Sequence, residues 1–161
     1  MTHQDASCDE FDRALQTANG WMSEIGSELD TENPDEACRV LRAVLHTLRD
    51  RLPASEVVHL GGELPALIAG VYYEGYRLRE KPLRRGEDDF LAEIRRRLGA
   101  DAPAAEPLRP FAAVLKVLSR HVSDGELEEI CEYLPKNLRN LWVRLEEEFS
   151  RLEWAGTTRR A

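Results

Sequence analysis

The sequence predicts an all-α domain, and three observations carry that prediction. Apolar residues recur at intervals of three and four along most of the chain, the period of one buried helix face. Helix-starting and helix-stopping residues fall at the ends of those stretches. A block of about thirty residues from Ala43 to Tyr72 recurs, 70 positions on, from Ala113 to Trp142 without a gap. Ala43, Val44, Leu45, Leu48, Glu56, Leu64 and Pro65 return as Ala113, Val114, Leu115, Leu118, Glu126, Leu134 and Pro135. The expected architecture is therefore two pseudo-repeated three-helix units packed as one domain, with proline-kinked third helices and an extended C-terminal helix.

The elements follow in order. Residues 1–10 are polar, lack periodicity and read as a tail. Phe11, Leu15, Ala18, Met22, Ile25 and Leu29 mark the first helix, within which Gly20 and Gly26 are expected to weaken or bend it. Asn33-Pro34-Asp35-Glu36 opens the second, because Asn33 can accept first-turn N–H groups, Pro34 wastes no donor, and Glu36 can close a capping box. Ala37, Val40, Leu41, Val44, Leu45, Leu48 and Leu52 face inward, leaving Arg39, Arg42, Arg49 and Asp50 for solvent. Pro53 ends this helix. Val57, Leu60, Leu64, Leu67, Ile68 and Val71 line the third, where Pro65 removes a donor and crowds the Gly61 carbonyl, so the helix must kink or restart. The first unit spans residues 11–76.

Residues 77–88 form a basic connecting strap, and residues 89–154 the second unit with its extension. Phe90 and Ile94 correspond to Phe11 and Leu15 at an offset of 79, which implies a second half shortened by nine residues. Pro107 and Pro110 belong in the first turn of the next helix. Ser123-Asp124-Gly125-Glu126 is a capping box opening the last helix, whose stripe passes Trp142 and extends through Leu145, Phe149 and Leu152 to about Trp154. Residues 155–161 read as a tail.

Composition bounds the function classes. The chain has 161 residues, of which 42% are hydrophobic, with a net charge of −8 and three widely spaced cysteines, Cys8, Cys38 and Cys131. That cysteine pattern suggests neither a disulfide framework nor a zinc knuckle, and a cytoplasmic location is expected. No apolar run approaches the roughly 18 residues needed to span a bilayer, so no membrane association is expected. Residues 1–76 carry 14 acids against 5 bases, whereas residues 77–97 carry 5 against 8. Most of the surface should repel nucleic acid.

The stretch from Ala43 to Tyr76, followed after the strap by Glu87 to Gly99, resembles a bacterial and archaeal family known as domain of unknown function 2267. The resemblance covers roughly Phe11 to Trp142. Its specific parts are Ala43-Val44-Leu45, Arg51-Leu52, Leu64-Pro65 and Tyr72-Tyr73-Glu74-Gly75. It implies an all-helical fold and no established activity. Members commonly carry Gln before the Leu-Pro, where this chain has Glu63 and Tyr133.

Two clusters carry candidate chemistry. Glu56 and His59 have the Glu-x-x-His spacing that di-iron bundle proteins use to place two ligands on one helix face, and the second copy supplies Glu126 and Glu129. Glu24 and Glu28 are the nearest candidates for further ligands. The simpler account is that Glu56 and Glu126 sit in first helical turns, where the helix dipole favours an acid. Arg77, Arg79, Lys81, Arg84 and Arg85, with Arg95, Arg96 and Arg97, could form a positive stripe for phosphate or nucleic acid. No recognition helix, aromatic platform or phosphate loop accompanies them, so a solvated or salt-bridged face is the simpler account. No catalytic residue, metal ion or cofactor is assigned from the sequence. Cys38 and Cys131 read as small core residues, and His46 and His121 as surface residues near helix ends.

Packing residues recur between the copies while polar ones diverge: His46 meets Lys116, and His59 meets Glu129. The expectation is a non-enzymatic interaction or assembly protein, self-associating or binding a protein partner through its C-terminal helix. A carboxylate-bridged metal site and a phosphate or nucleic-acid surface on the strap are the alternatives.

Overall fold

The computed structural model describes residues 5–78, 87–99, 107–134 and 136–158, with only the backbone for residues 5–8, 87–88 and 152–158. The fold is all-α. Its helices are α1 (Asp5–Leu29), α2 (Pro34–Arg49), α3 (Ala54–Glu63), α4 (Ala66–Tyr73), α5 (Glu87–Leu98), α6 (Leu108–His121), α7 (Asp124–Tyr133) and α8 (Lys136–Thr158). Among the described residues each half thus has four helices where three were expected. The chain does not bend at Leu64-Pro65. It breaks: Leu64 is extended (φ −84°, ψ 144°), and α4 starts afresh after Pro65. Leu134 has nearly the same conformation (φ −78°, ψ 147°) between α7 and α8, while Pro135 lies outside the described residues.

Helix α2 packs against α1, α4, α5 and α6, and α6 packs against α1, α2, α5 and α8. Exchanging α1–α4 with α5–α8 carries these contacts onto one another: α1·α2 becomes α5·α6, α2·α4 becomes α6·α8, and α3·α4 becomes α7·α8. Two contacts map onto themselves, α2·α6 and α3·α7. The first is the apolar centre, built from Leu41, Val44, Leu45 and Leu48 with Val114, Leu115 and Leu118, all at most 1% exposed. The second brings equivalent positions of the two halves face to face.

Burial corrects the alignment of α1 with α5. Phe11 is 74% and Leu15 53% exposed, while Phe90 and Ile94 are buried. The buried hydrophobic residues of α1 are Trp21 and Ile25, which precede Phe90 and Ile94 by 69 positions. Both helices also end on a left-handed residue at that spacing, Asp30 (φ 53°) and Gly99 (φ 86°). The nine-residue deletion is therefore not needed. Instead the first half of α1 extends beyond the part matched by α5, so residues 5–10, expected as a tail, are helical. Gly20 and Gly26 interrupt nothing in α1. Gly26 lies three residues before its end, where its carbonyl accepts the Thr31 N–H at 2.9 Å in a Schellman closure. At the other end of the chain, α8 reaches Thr158, into the second expected tail.

His46 and Arg49, expected at the surface, are buried. The reason is the short α4, whose last carbonyls end against α2 and need donors. Arg49 Nη1 donates to Tyr72 O at 2.7 Å and Glu74 O at 2.8 Å, and His46 Nε2 lies 2.7 Å from Val71 O. A carbonyl only accepts, so His46 carries its proton on Nε2, and burial lowers its pKa and keeps the ring neutral. Leu67, expected on the inner face, is 45% exposed, because the break at Pro65 resets the helical phase.

Tyr72 and Tyr73 tie α4 back to α3. The buried Tyr72 hydroxyl donates to Val57 O at 2.8 Å, and burial raises its pKa. A Cβ on Gly61 would collide with the hydroxyl and ring edge of Tyr73. Seventy positions on, the same two places hold Cys131 and Val143: a larger residue opposite a smaller one. Gly61→Ala should cost about 1–3 kcal/mol by overpacking. Gly61→Ala with Tyr73→Val should recover most of that in thermal unfolding, and a double variant no more stable than the single one would contradict the contact.

Candidate metal centre

The site lies where α3 meets α7. Each helix begins after an extended residue, Pro53 (ψ 155°) and Ser123 (ψ 145°), and each carries a Glu three residues on. That phase turns Glu56 and Glu126 toward the opposing helix, while His59 and Glu129, one turn later, stand at the rim. One ligand atom from each of Glu56, His59, Glu126 and Glu129 lies within 4.8 Å of all the others. His59 Nδ1 is 3.7 Å from Glu56 Oε1. Glu56 is 5% and Glu126 9% exposed, and Glu56 Oε2 and Glu126 Oε1 are buried with no hydrogen-bond partner among the described residues. Burial raises the Glu126 pKa, and the charges of Glu56, Glu63 and Glu129 add to that rise while His59 opposes it.

Two buried carboxylates facing each other cost free energy unless a proton or a cation compensates them. Their dipole position at two helix N-termini helps an isolated acid but does not explain why both turn inward. Donors on opposite sides of a first-row divalent ion stand about 4.2 Å apart, twice a bond of about 2.1 Å. The four donors, all within 4.8 Å of one another, are thus close to the spacing that one such ion requires, and His59 and Glu129 are exposed. Three carboxylates and one imidazole make a mixed hard and borderline donor set, suited to manganese, iron, cobalt or zinc.

The di-iron template is not met. It needs a second Glu-x-x-His helix and two further Glu residues on facing helices. Position 129 is Glu, and Glu24 and Glu28 are elsewhere. Glu24 pairs with Arg120 at 3.4 Å and His121 at 2.6 Å, and Glu28 with Arg120 at 2.9 Å and Lys116 at 3.3 Å. The donor set suits one ion, and its two exposed members, His59 and Glu129, lie on the solvent side.

Two of the four described residues of the basic stripe are held in ion pairs. Arg96 and Arg97 both pair with Glu93, and Arg97 also reaches Asp50 at 2.8 Å. The Arg96 guanidinium holds the Glu93 pKa below the usual carboxylate range. Arg77 and Arg95 are exposed. Arg79, Lys81, Arg84 and Arg85 lie outside the described residues. Cys38 and Cys131 are half-buried free thiols, and burial pushes the Cys131 pKa up, away from nucleophilic character. On α8, Phe149 is partly buried beneath Lys116, whose ammonium lies 5.6 Å from its ring centre. The side chains of Leu152 and Trp154, on which the expected partner surface depends, lie outside the described residues. No helix among the described residues is long and apolar enough to cross a membrane.

Sequence reasoning left out one member of the site. Glu63, at the end of α3, accepts the Ser123 N–H at 2.7 Å through Oε2 and the Ser123 hydroxyl at 2.6 Å through Oε1. Residues 18–141 match the model of a family described as an uncharacterized conserved protein, DUF2267. No curated protein matches the chain.

Proposed function

The chain belongs to the DUF2267 family, and for it we propose the binding of one divalent first-row transition-metal ion at Glu56, His59, Glu126 and Glu129. The observation that supports this reading most is that two members of a four-ligand cluster, Glu56 and Glu126, each have a buried carboxylate oxygen with no hydrogen-bond partner among the described residues. Because the ligands come from both halves, the ion would hold α3 against α7 and stabilise the folded chain in proportion to its concentration over its dissociation constant. The solvent side of the cluster, at His59 and Glu129, leaves the ion open to a small anionic or oxygen ligand, the condition a metal must meet to act as a Lewis acid. The assembly reading draws its support from the apolar edge of α8 and has no comparable convergence of groups behind it.

Titration calorimetry with Co(II) or Mn(II) tests the proposal. One ion per chain should bind to the purified, metal-free protein, and His59→Ala with Glu129→Ala should weaken it by at least about 100-fold, since lost direct ligands outweigh the 10–100-fold typical of supporting residues. Binding with the same affinity in that double variant, or no binding by the unaltered chain, would refute it.

A further inference from the structure

We infer that Glu63 is a positioning residue for this site: by occupying the cap of α7 it leaves the Glu126 carboxylate free for the cation. The inference rests on the metal-binding reading above. Ser123 and Glu126 have the spacing of a capping box, in which the third-position Glu reaches back to the N–H of the capping residue while the Ser hydroxyl accepts the N–H of that Glu. Half of the box is present, since Ser123 Oγ accepts the Glu126 N–H at 3.3 Å. The other half is missing. The Ser123 N–H is held instead by Glu63 from the end of α3, so Glu126 has no local donor to return to and its Oε1 stays buried without a partner among the described residues.

The other half of the chain reaches the same result by different means. Glu56 is also the third residue of its helix, but the capping position before it is Pro53, which has no N–H to offer. Both inward-facing carboxylates are thus denied the bond that would otherwise pull them to their own helix end, one by a proline and the other by Glu63. Glu63 has a further consequence for geometry. It bridges α3 to the start of α7 through two bonds, fixing the separation of the helices that carry the four ligands.

The test uses the full chain and Co(II) alone as probe. In Glu63→Ala, Glu126 should close its own capping box, so the metal-free protein should melt within a few degrees of the unaltered one while its Co(II) dissociation constant rises by about 10–100-fold. Glu63→Gln should bind within about threefold of the unaltered chain, because its amide oxygen accepts the Ser123 N–H and its NH₂ donates to Ser123 Oγ. The Ser123 amide proton, followed by NMR in metal-free protein, should still titrate with a carboxylate in Glu63→Ala and cease to do so in Glu63→Ala with Glu126→Ala. Unchanged Co(II) affinity in Glu63→Ala would overturn the inference, as would a loss in Glu63→Gln equal to that in Glu63→Ala, which would make charge the operative property. If the unaltered chain binds no Co(II), the metal-binding reading fails, and the Ser123 resonance alone decides whether Glu63 positions Glu126.

Discussion

Glu126→Gln should raise the melting temperature of the metal-free protein at pH 7 and remove its affinity for divalent cations. In the folded chain Glu126 keeps its proton to higher pH than in the unfolded chain, because burial and the neighbouring carboxylates disfavour its charge. Between the ordinary carboxylate pKa and the raised one, the folded state binds the extra proton. Stability from this group is therefore fully present below the unfolded value and is lost as pH rises through the folded value. At neutral pH the carboxylate is a burden, and an uncharged amide of the same shape relieves it. A gain on the order of 1 kcal/mol, about 2–4 °C, is expected from relaxing a strained functional group. The gain should shrink in acid, where the native residue is itself protonated. Affinity for Co(II) should fall by more than about 100-fold, beyond the range for supporting residues. A variant that melts lower than the native protein at pH 7 would mean that Glu126 is an ordinary helix-start acid.

A large effect on folding should come from Trp21→Ala. Trp21 is 2% exposed on α1, and its ring stacks on His121 at the end of α6 with centroids 4.8 Å apart. Beside it, Glu24 pairs with His121 and Arg120, so α1 is held to α6 by one aromatic anchor and its surrounding ion pairs. Truncating a buried Trp costs about 3–5 kcal/mol. In a chain of this size that is roughly 10 °C in melting temperature. Phe11→Ala, on the exposed first half of the same helix, should change stability by less than about 0.5 kcal/mol. Equal losses at the two positions would contradict the burial pattern of α1.

The fold class was legible because it depends on periodicity, and periodicity is local. Val44 and Leu45 with their counterparts Val114 and Leu115 announce the central helices from spacing alone. The register of α1 was not legible. Phe11, Leu15, Trp21 and Ile25 all fit helical spacing, and only the tertiary partners decide which of them are covered. Arg49 and His46 look like solvent-facing residues until α4 is seen to end against them with unsatisfied carbonyls. Pro65 announced an interruption, but whether a helix bends or breaks depends on the extended backbone at Leu64, which spacing does not reveal.

The candidate metal centre was half legible. Glu56-x-x-His59 and Glu126-x-x-Glu129 are visible as equal spacings 70 residues apart, yet nothing local says that α3 meets α7. Once equivalent helices pack on each other, equivalent residues face one another, and the divergence of His59 from Glu129 is what gives the candidate cluster its mixed donors. Glu63 was hidden because its partner, Ser123, is 60 residues away in the chain. Two signals were available: Glu63 stands where the family commonly carries Gln, and Pro53, unlike Ser123, offers no N–H, so the two capping sequences could not be doing the same thing.

Anomalous diffraction from crystals of the full chain grown with Co(II) tests the central claim most directly. One strong peak is expected between α3 and α7, about 2.0–2.2 Å from oxygen atoms of Glu56 and Glu126 and from a ring nitrogen of His59. An empty junction, with cobalt absent or bound only at other acidic residues of the surface, would contradict it.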